Sequence, residues 1–193
     1  PVWRSVADQM QQLKAYAQDF ADCFIKKNYN NMDNNATDFV NSFYKFVQVL
    51  EFEIGPESKS SDSLKQDIGT WAKQELLPYI LLSTTVNRAL LKPNSYAGDY
   101  LTIHGICEKL NAQRENIGQL LDEGFYNIPP AKSVRNRRKL IAEEILNAIK
   151  TNKGKSFKVT VLASGPAMEI FDVFSQLEDP SQIGRASCRE SVE

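Results

Sequence analysis

Three segments carry residue types that can do chemistry. Val161-Leu162-Ala163-Ser164-Gly165-Pro166-Ala167 joins a β-branched apolar run to a stretch of helix formers. A glycine turn at the carboxyl end of a strand lets a ligand approach the backbone closely. The helix that follows offers unpaired N–H groups and the positive end of its dipole. That order suits a cofactor with an adenosine and a carboxylate. With one glycine and no full GxGxxG it also suits an ordinary strand-to-helix turn. The second segment is Lys92-Pro93-Asn94-Ser95-Tyr96-Ala97-Gly98-Asp99-Tyr100. Pro93 fixes φ, Gly98 permits unusual dihedrals, Tyr96 offers a flat face with a polar tip, and Asp99 can accept from N–H, hydroxyl or ammonium groups. The same residues also read as an interhelical turn with Asp99 as helix N-cap. The third, Ser133 to Lys139, holds Arg135, Arg137, Arg138 and Lys139. Its guanidiniums could clamp a carboxylate or phosphate, form a solvated helix face paired with Glu143 and Glu144, or make a nucleic-acid patch, against which the missing aromatic interleaving and neutral net charge argue. His104 reads either as a general base near the connector or as a structural residue. Gly154-Lys155-Ser156 is not a P-loop, because Ile149 stands where the first glycine belongs and the run precedes a strand instead of following one.

Composition narrows the classes. The 193 residues carry 23 Lys+Arg against 24 Asp+Glu, a net charge of −1, so no bulk positive field points to nucleic acid. No apolar run approaches the roughly 20 residues of a membrane span. Three Cys without CxxC spacing and one His argue against a disulfide scaffold, a metal site or a Ser-His-Asp triad, and fit a cytoplasmic protein. Cys23 and Cys107 read as small apolar residues.

The positioning elements are mostly helical. Trp3, Val6, Met10, Leu13, Ala17, Phe20 and Phe24 alternate at spacings of 3 and 4, one face of a helix. The polar run Lys26 to Asn35 ends it, and Phe39, Phe43, Phe46 and Leu50 mark a second helix that Gly55-Pro56 breaks. A third runs from about Leu64 to Leu91, with Ser61 or Asp62 as N-cap and a kink or division at Pro78. His104 to Leu121 reads as helix, Asn127-Ile128-Pro129-Pro130 as a hinge, and Lys132 to Lys150 as helix with Val134, Ile141, Ile145 and Ile149 on one face. Phe157 to Ala163 then reads as a buried strand and Ala167 to Leu177 as helix, the opening of a βαβ unit.

The Lys92–Tyr100 motif, the motif Ala131-x-x-Val134-Arg135-Asn136-Arg137-Arg138, and Val161-Leu162-Ala163-Ser164-Gly165-Pro166-Ala167-x-Glu169-Ile170 occur in that order. Together they resemble a bacterial family of class I S-adenosylmethionine-dependent methyltransferases, named for extracellular-factor 3-hydroxypalmitic acid methyl ester biosynthesis. The resemblance spans roughly residues 70 to 178. It implies a helical cap before a Rossmann-like core and S-adenosylmethionine as cofactor. It implies that Ser164, Gly165, Pro166, Ala167 and Glu169 contact the cofactor together with Tyr96, Gly98 and Asp99. Arg135, Asn136 and Arg137 would hold the cofactor carboxylate or an acidic substrate. The implied reaction is in-line displacement at the sulfonium methyl, with a carboxylate of a fatty-acid-like small molecule as acceptor and no metal. Ala163 and Ala167 stand where the general class I pattern often has an acidic residue and a second glycine.

The expected architecture is mainly α: a helical cap over residues 1–155, then the first strand and helix of a truncated Rossmann-like domain over 156–182. Ile183-Gly184-Arg185-Ala186-Ser187-Cys188-Arg189-Glu190 resembles a translated short-read sequencing adapter, so residues 183–193 are expected to be non-native and outside the fold. The chain would then be a fragment, inactive by itself, of an active enzyme. The rival reading is a helical regulatory or dimerisation module with no catalytic role. The sequence leaves the acceptor and the oligomeric state open.

Overall fold

A computed structural model describes residues 2–93, 95–96, 98–152, 157–162, 165–177 and 183–189. The protein is mainly helical, and its contacts divide it into two compact units. The first comprises residues 1–91 and 109–128, the second residues 92–108 and 129–193. The boundary expected near residue 155 marks a change from helical to strand periodicity, whereas this division follows contacts. No helix among the described residues is long and apolar enough to cross a membrane.

In the first unit, α1 (Val2–Ile25) buries Val6, Met10, Leu13, Ala17, Phe20 and Cys23. The stripe is as spaced, except at its ends: Trp3 and Phe24 stay partly exposed, and Cys23 goes inward instead of Phe24. Backbone geometry ends the helix. Asn28 N–H bonds the Cys23 carbonyl (2.9 Å) and Lys27 N–H the Phe24 carbonyl (3.2 Å), with Lys27 at φ +52°. That is a Schellman motif built without glycine. After a 3₁₀ turn at Tyr29–Asn31, α2 (Met32–Ile54) starts inside the asparagine run and lays Ala36, Phe39, Val40, Phe43 and Phe46 against α1. Burial of each Phe contributes about 2–3 kcal/mol.

The Ser61 hydroxyl caps α3 (Asp62–Ile80) by accepting from Leu64 N–H. Pro78 sits in its last turn, so the expected long helix is divided at Leu81–Ser83, and α4 (Thr84–Leu91) follows. In place of one helix over His104–Leu121 there are two. One of them, α5 (Tyr100–Glu108), belongs to the second unit; the other, α6 (Ile117–Asn127), belongs to the first and is capped by Asn116. Between them Lys109, Asn111 and Arg114 adopt positive φ, which no helix interior tolerates. Glycines let α6 pack closely. A Cβ on Gly118 would stand 1.9 Å from the Leu82 carbonyl oxygen, and one on Gly124 would stand 2.5 Å from the Phe43 ring.

In the second unit, α7 (Pro129–Thr151) begins on proline after extended Ile128, since proline suits the first helical position and pushes its predecessor out of the α region. Ala142 and Ile149 of α7 pack with Ile170 and Val173 of α8 (Met168–Gln176). The strand β1 (Phe157–Leu162) pairs in parallel with β2 (Ile183–Arg189), so β1-α8-β2 forms a βαβ unit. Residues 183–189, expected to stand outside the fold, supply that neighbour strand.

Candidate ligand cleft at the end of the first strand

Between β1 and α8 the described residues are Gly165, Pro166 and Ala167; Ala163 and Ser164 lie outside the described residues, as does the rejected Gly154-Lys155-Ser156 run. Gly165 has φ +51° and Ala167 φ +49°. Glycine takes this conformation freely, whereas it costs Ala167 about 1 kcal/mol. Two left-handed residues flanking a proline bend the chain sharply into α8. Ala167, its N-cap, has no side chain to bond the first-turn N–H groups, so Met168 and Glu169 open the helix without a side-chain cap.

A cleft of about 270 Å³ borders this bend. Ile103 of α5, Val134 and Ile141 of α7, and Val161, Pro166 and Met168 supply its apolar lining, and Cys107 lines it as well. Its charged groups are Arg137, Arg138 and Glu169. Arg137 and Glu169 carry opposite charge, and neither has a hydrogen bond or ion pair among the described residues. Each nitrogen of Arg138 has a partner: Nε and Nη2 donate to Asp172 (2.5 and 2.6 Å) and Nη1 to Glu108 (2.8 Å). The Asp172 pair raises the Arg138 pKa further and keeps it charged. Burial pushes the Cys107 thiol up, while the Arg138 guanidinium pulls it partly back.

The turn before α5 reaches the same bend. The Tyr100 Cβ lies 3.9 Å from the place a Cβ on Gly165 would occupy. Asp99 is 1% exposed, and its Oδ1 accepts from Thr102 N–H (2.8 Å), so it is the N-cap of α5. Tyr96 is exposed, and nothing lies within 4 Å of a Cβ built on Gly98. Arg135 donates to the Ile106 carbonyl (3.3 Å) near the end of α5, and Asn136 is exposed. Neither they nor the half-buried His104 line the cleft. Of the sequence candidates, Arg137, Pro166 and Glu169 line it and Gly165 and Ala167 shape the bend beside it.

Sequence reasoning missed Ile103 and Cys107, although their i,i+4 spacing puts them on one helix face. Val134 and Ile141 read as core seam, yet they line the cleft, and only the lower half of that seam, Ile145 and Ile149, packs against α8. A buried network in the first unit was also missed. Asp122 accepts from the Ser83 hydroxyl (2.5 Å) and from the N–H groups of Thr84, Thr85 and Val86 (3.2, 3.0 and 3.4 Å), capping α4. Beside it Tyr126 donates to the Leu110 carbonyl (2.7 Å) and meets Thr85 Oγ1 at 2.5 Å. No local signal marks an acidic residue on a helix as buried.

No family model, no curated protein and no solved structure matches this chain.

Proposed function

We propose that the second unit is the cofactor-binding part of an S-adenosylmethionine-dependent methyltransferase. One observation carries the reading: residues of all three sequence motifs meet in one unit, around the bend that follows β1. The residues there fit the methionine end of the cofactor. Arg137 offers a guanidinium for the carboxylate and Glu169 a carboxylate for the ammonium, neither of them partnered among the described residues. The uncapped first turn of α8 favours an anion beside it. At about 270 Å³ the cleft is just under the usual range for small-molecule pockets, a size suited to an amino-acid moiety.

When bound, the cofactor supplies a sulfonium methyl already activated for displacement, so the protein's task is alignment and exclusion of water. Val161, Pro166 and Met168 provide the apolar wall that excludes it. A carboxylate of a fatty-acid-like molecule as acceptor needs no general base, and the reading therefore assigns none. Within this reading the chain binds cofactor, and methyl transfer belongs to a complete Rossmann-like core.

The test is calorimetric titration of S-adenosylhomocysteine into the protein. The expected result is one saturable site, weakened at least about tenfold by Arg137→Ala and by Glu169→Gln, the loss of one charge-assisted contact each. A folded protein that shows no saturable binding would favour the helical regulatory module instead.

A further inference from the structure

Arg138 lines the cleft yet commits its donors to the protein. Its fork grips both carboxylate oxygens of Asp172, its third nitrogen bonds Glu108, and that same nitrogen stands 3.8 Å from Met168 Sδ. Two carboxylates more than neutralise one guanidinium, so an incoming anion meets net negative charge at Arg138 and net positive charge at Arg137. The three residues joined lie on different elements: Glu108 ends α5, Arg138 is in α7 and Asp172 is in α8. Among the described residues, α8 is nine residues long and fully buries Ile170 and Val173. With so short an apolar anchor, the setting of its first turn depends on the fork, and that turn carries Met168 and Glu169 into the cleft.

We propose that Arg138 is a positioning residue: by gripping Asp172 and Glu108 it fixes α8 and α5 against α7, so that Glu169 and Arg137 are held in one cleft where a zwitterionic ligand meets both. The proposal rests on the cofactor-binding reading for its ligand, and on the Arg138 geometry for its mechanism. Arg137 meets the ligand, and Arg138 acts through Asp172.

Two measurements test it. The first is the S-adenosylhomocysteine affinity of Arg138→Lys, Asp172→Asn and the double variant, each in the whole chain. Lysine keeps the charge and loses the fork. Each single variant should weaken binding about tenfold, and the double variant no further, because both break one coupled unit. Arg137→Ala should add its own loss to that of Arg138→Lys. Unchanged affinity in Arg138→Lys, or additive losses in the double variant, overturns the proposal. The second is the pH profile of Cys107 alkylation, read by peptide mapping, which reports whether the Arg138 guanidinium is held beside the thiol. Arg138, Arg135 and Glu108 act on the thiol, and Arg137 and Glu169 line the same cleft. Arg138→Ala should move the profile to higher pH, with the equally uncharged Arg138→Gln as the fallback if the alanine variant does not fold, and Arg137→Ala should leave it in place. An unmoved profile overturns the proposal. If the wild-type protein binds no S-adenosylhomocysteine, the cofactor reading fails by itself, and the Cys107 profile still decides whether Arg138 is held at the wall.

Discussion

Replacing Asp122 with Asn should destabilise the first unit by about 3 kcal/mol. Asp122 is 1% exposed and accepts four hydrogen bonds, three of them from the backbone N–H groups that open α4. Asparagine keeps one oxygen, which can still serve Ser83, Thr85 and Val86. Its amide must then face the Thr84 N–H across the 3.2 Å gap, donor against donor. Losing a bond to a charged acceptor costs roughly 1.5–3 kcal/mol, and stranding a buried donor roughly 1–3 kcal/mol. The lost charge at a helix N-terminus adds about 0.5 kcal/mol. These costs overlap, which sets the figure at the low end of their sum. Trp3 and Trp71 are the chain's two tryptophans, stacked edge-on at 5.6 Å within this unit, so their fluorescence during urea unfolding reports it selectively. The midpoint should fall with the slope unchanged. A loss below about 1 kcal/mol would mean that Asp122 is solvated, and would refute the capping argument.

Other perturbations follow from the same packing. Gly118→Ala should cost about 3 kcal/mol by urea unfolding, because the new Cβ meets a backbone carbonyl at 1.9 Å, whereas Gly124→Ala should cost less, because the Phe43 ring can yield. Lys27→Gly should stabilise the first unit by up to about 1 kcal/mol, since φ +52° suits glycine at this cap, and equal or lower stability would contradict the cap geometry. Burial pushes the Tyr126 hydroxyl up to about 12, with the negative charge of Asp122 adding to the rise and the Thr85 hydrogen bond opposing it. The neutral phenol is favoured in the folded state, so its contribution is complete below pH ~10 and is lost as pH rises from there towards ~12. Tyr126→Phe should remove that part of the alkaline slope in urea titrations at pH 9 and pH 11, and an unaltered slope would show the hydroxyl is solvated.

What could be read from the sequence was local. The α1 stripe, the Ser61 cap and the apolar strand each arise from residues close together in the chain, whereas Pro129-Pro130, read as part of a hinge, open α7 instead. The division of the chain was not local. Lys109, Asn111 and Arg114 turn the backbone with positive φ and no glycine or proline to announce it, so α5 and α6 read as one helix. The pairing of β1 with β2 depends on partners 26 residues apart at Phe157 and Ile183, and the excluded tail held the second strand. At the cleft, charge identified Arg137 and Glu169, but three arginines in four positions gave no means of telling their tasks apart. The structure separates them: Arg135 bonds the Ile106 carbonyl, Arg138 bonds carboxylates, and Arg137 has no partner among the described residues.

Hydrogen exchange of the whole chain with and without S-adenosylhomocysteine shows whether a ligand seats at the end of β1. Slowed exchange should be confined to the Gly165–Phe171 and Ile103–Cys107 segments, with the amides of Met168 and Glu169 most affected. Unchanged exchange in both segments at saturating ligand, or protection confined to α1–α4, would contradict a ligand site at the end of β1.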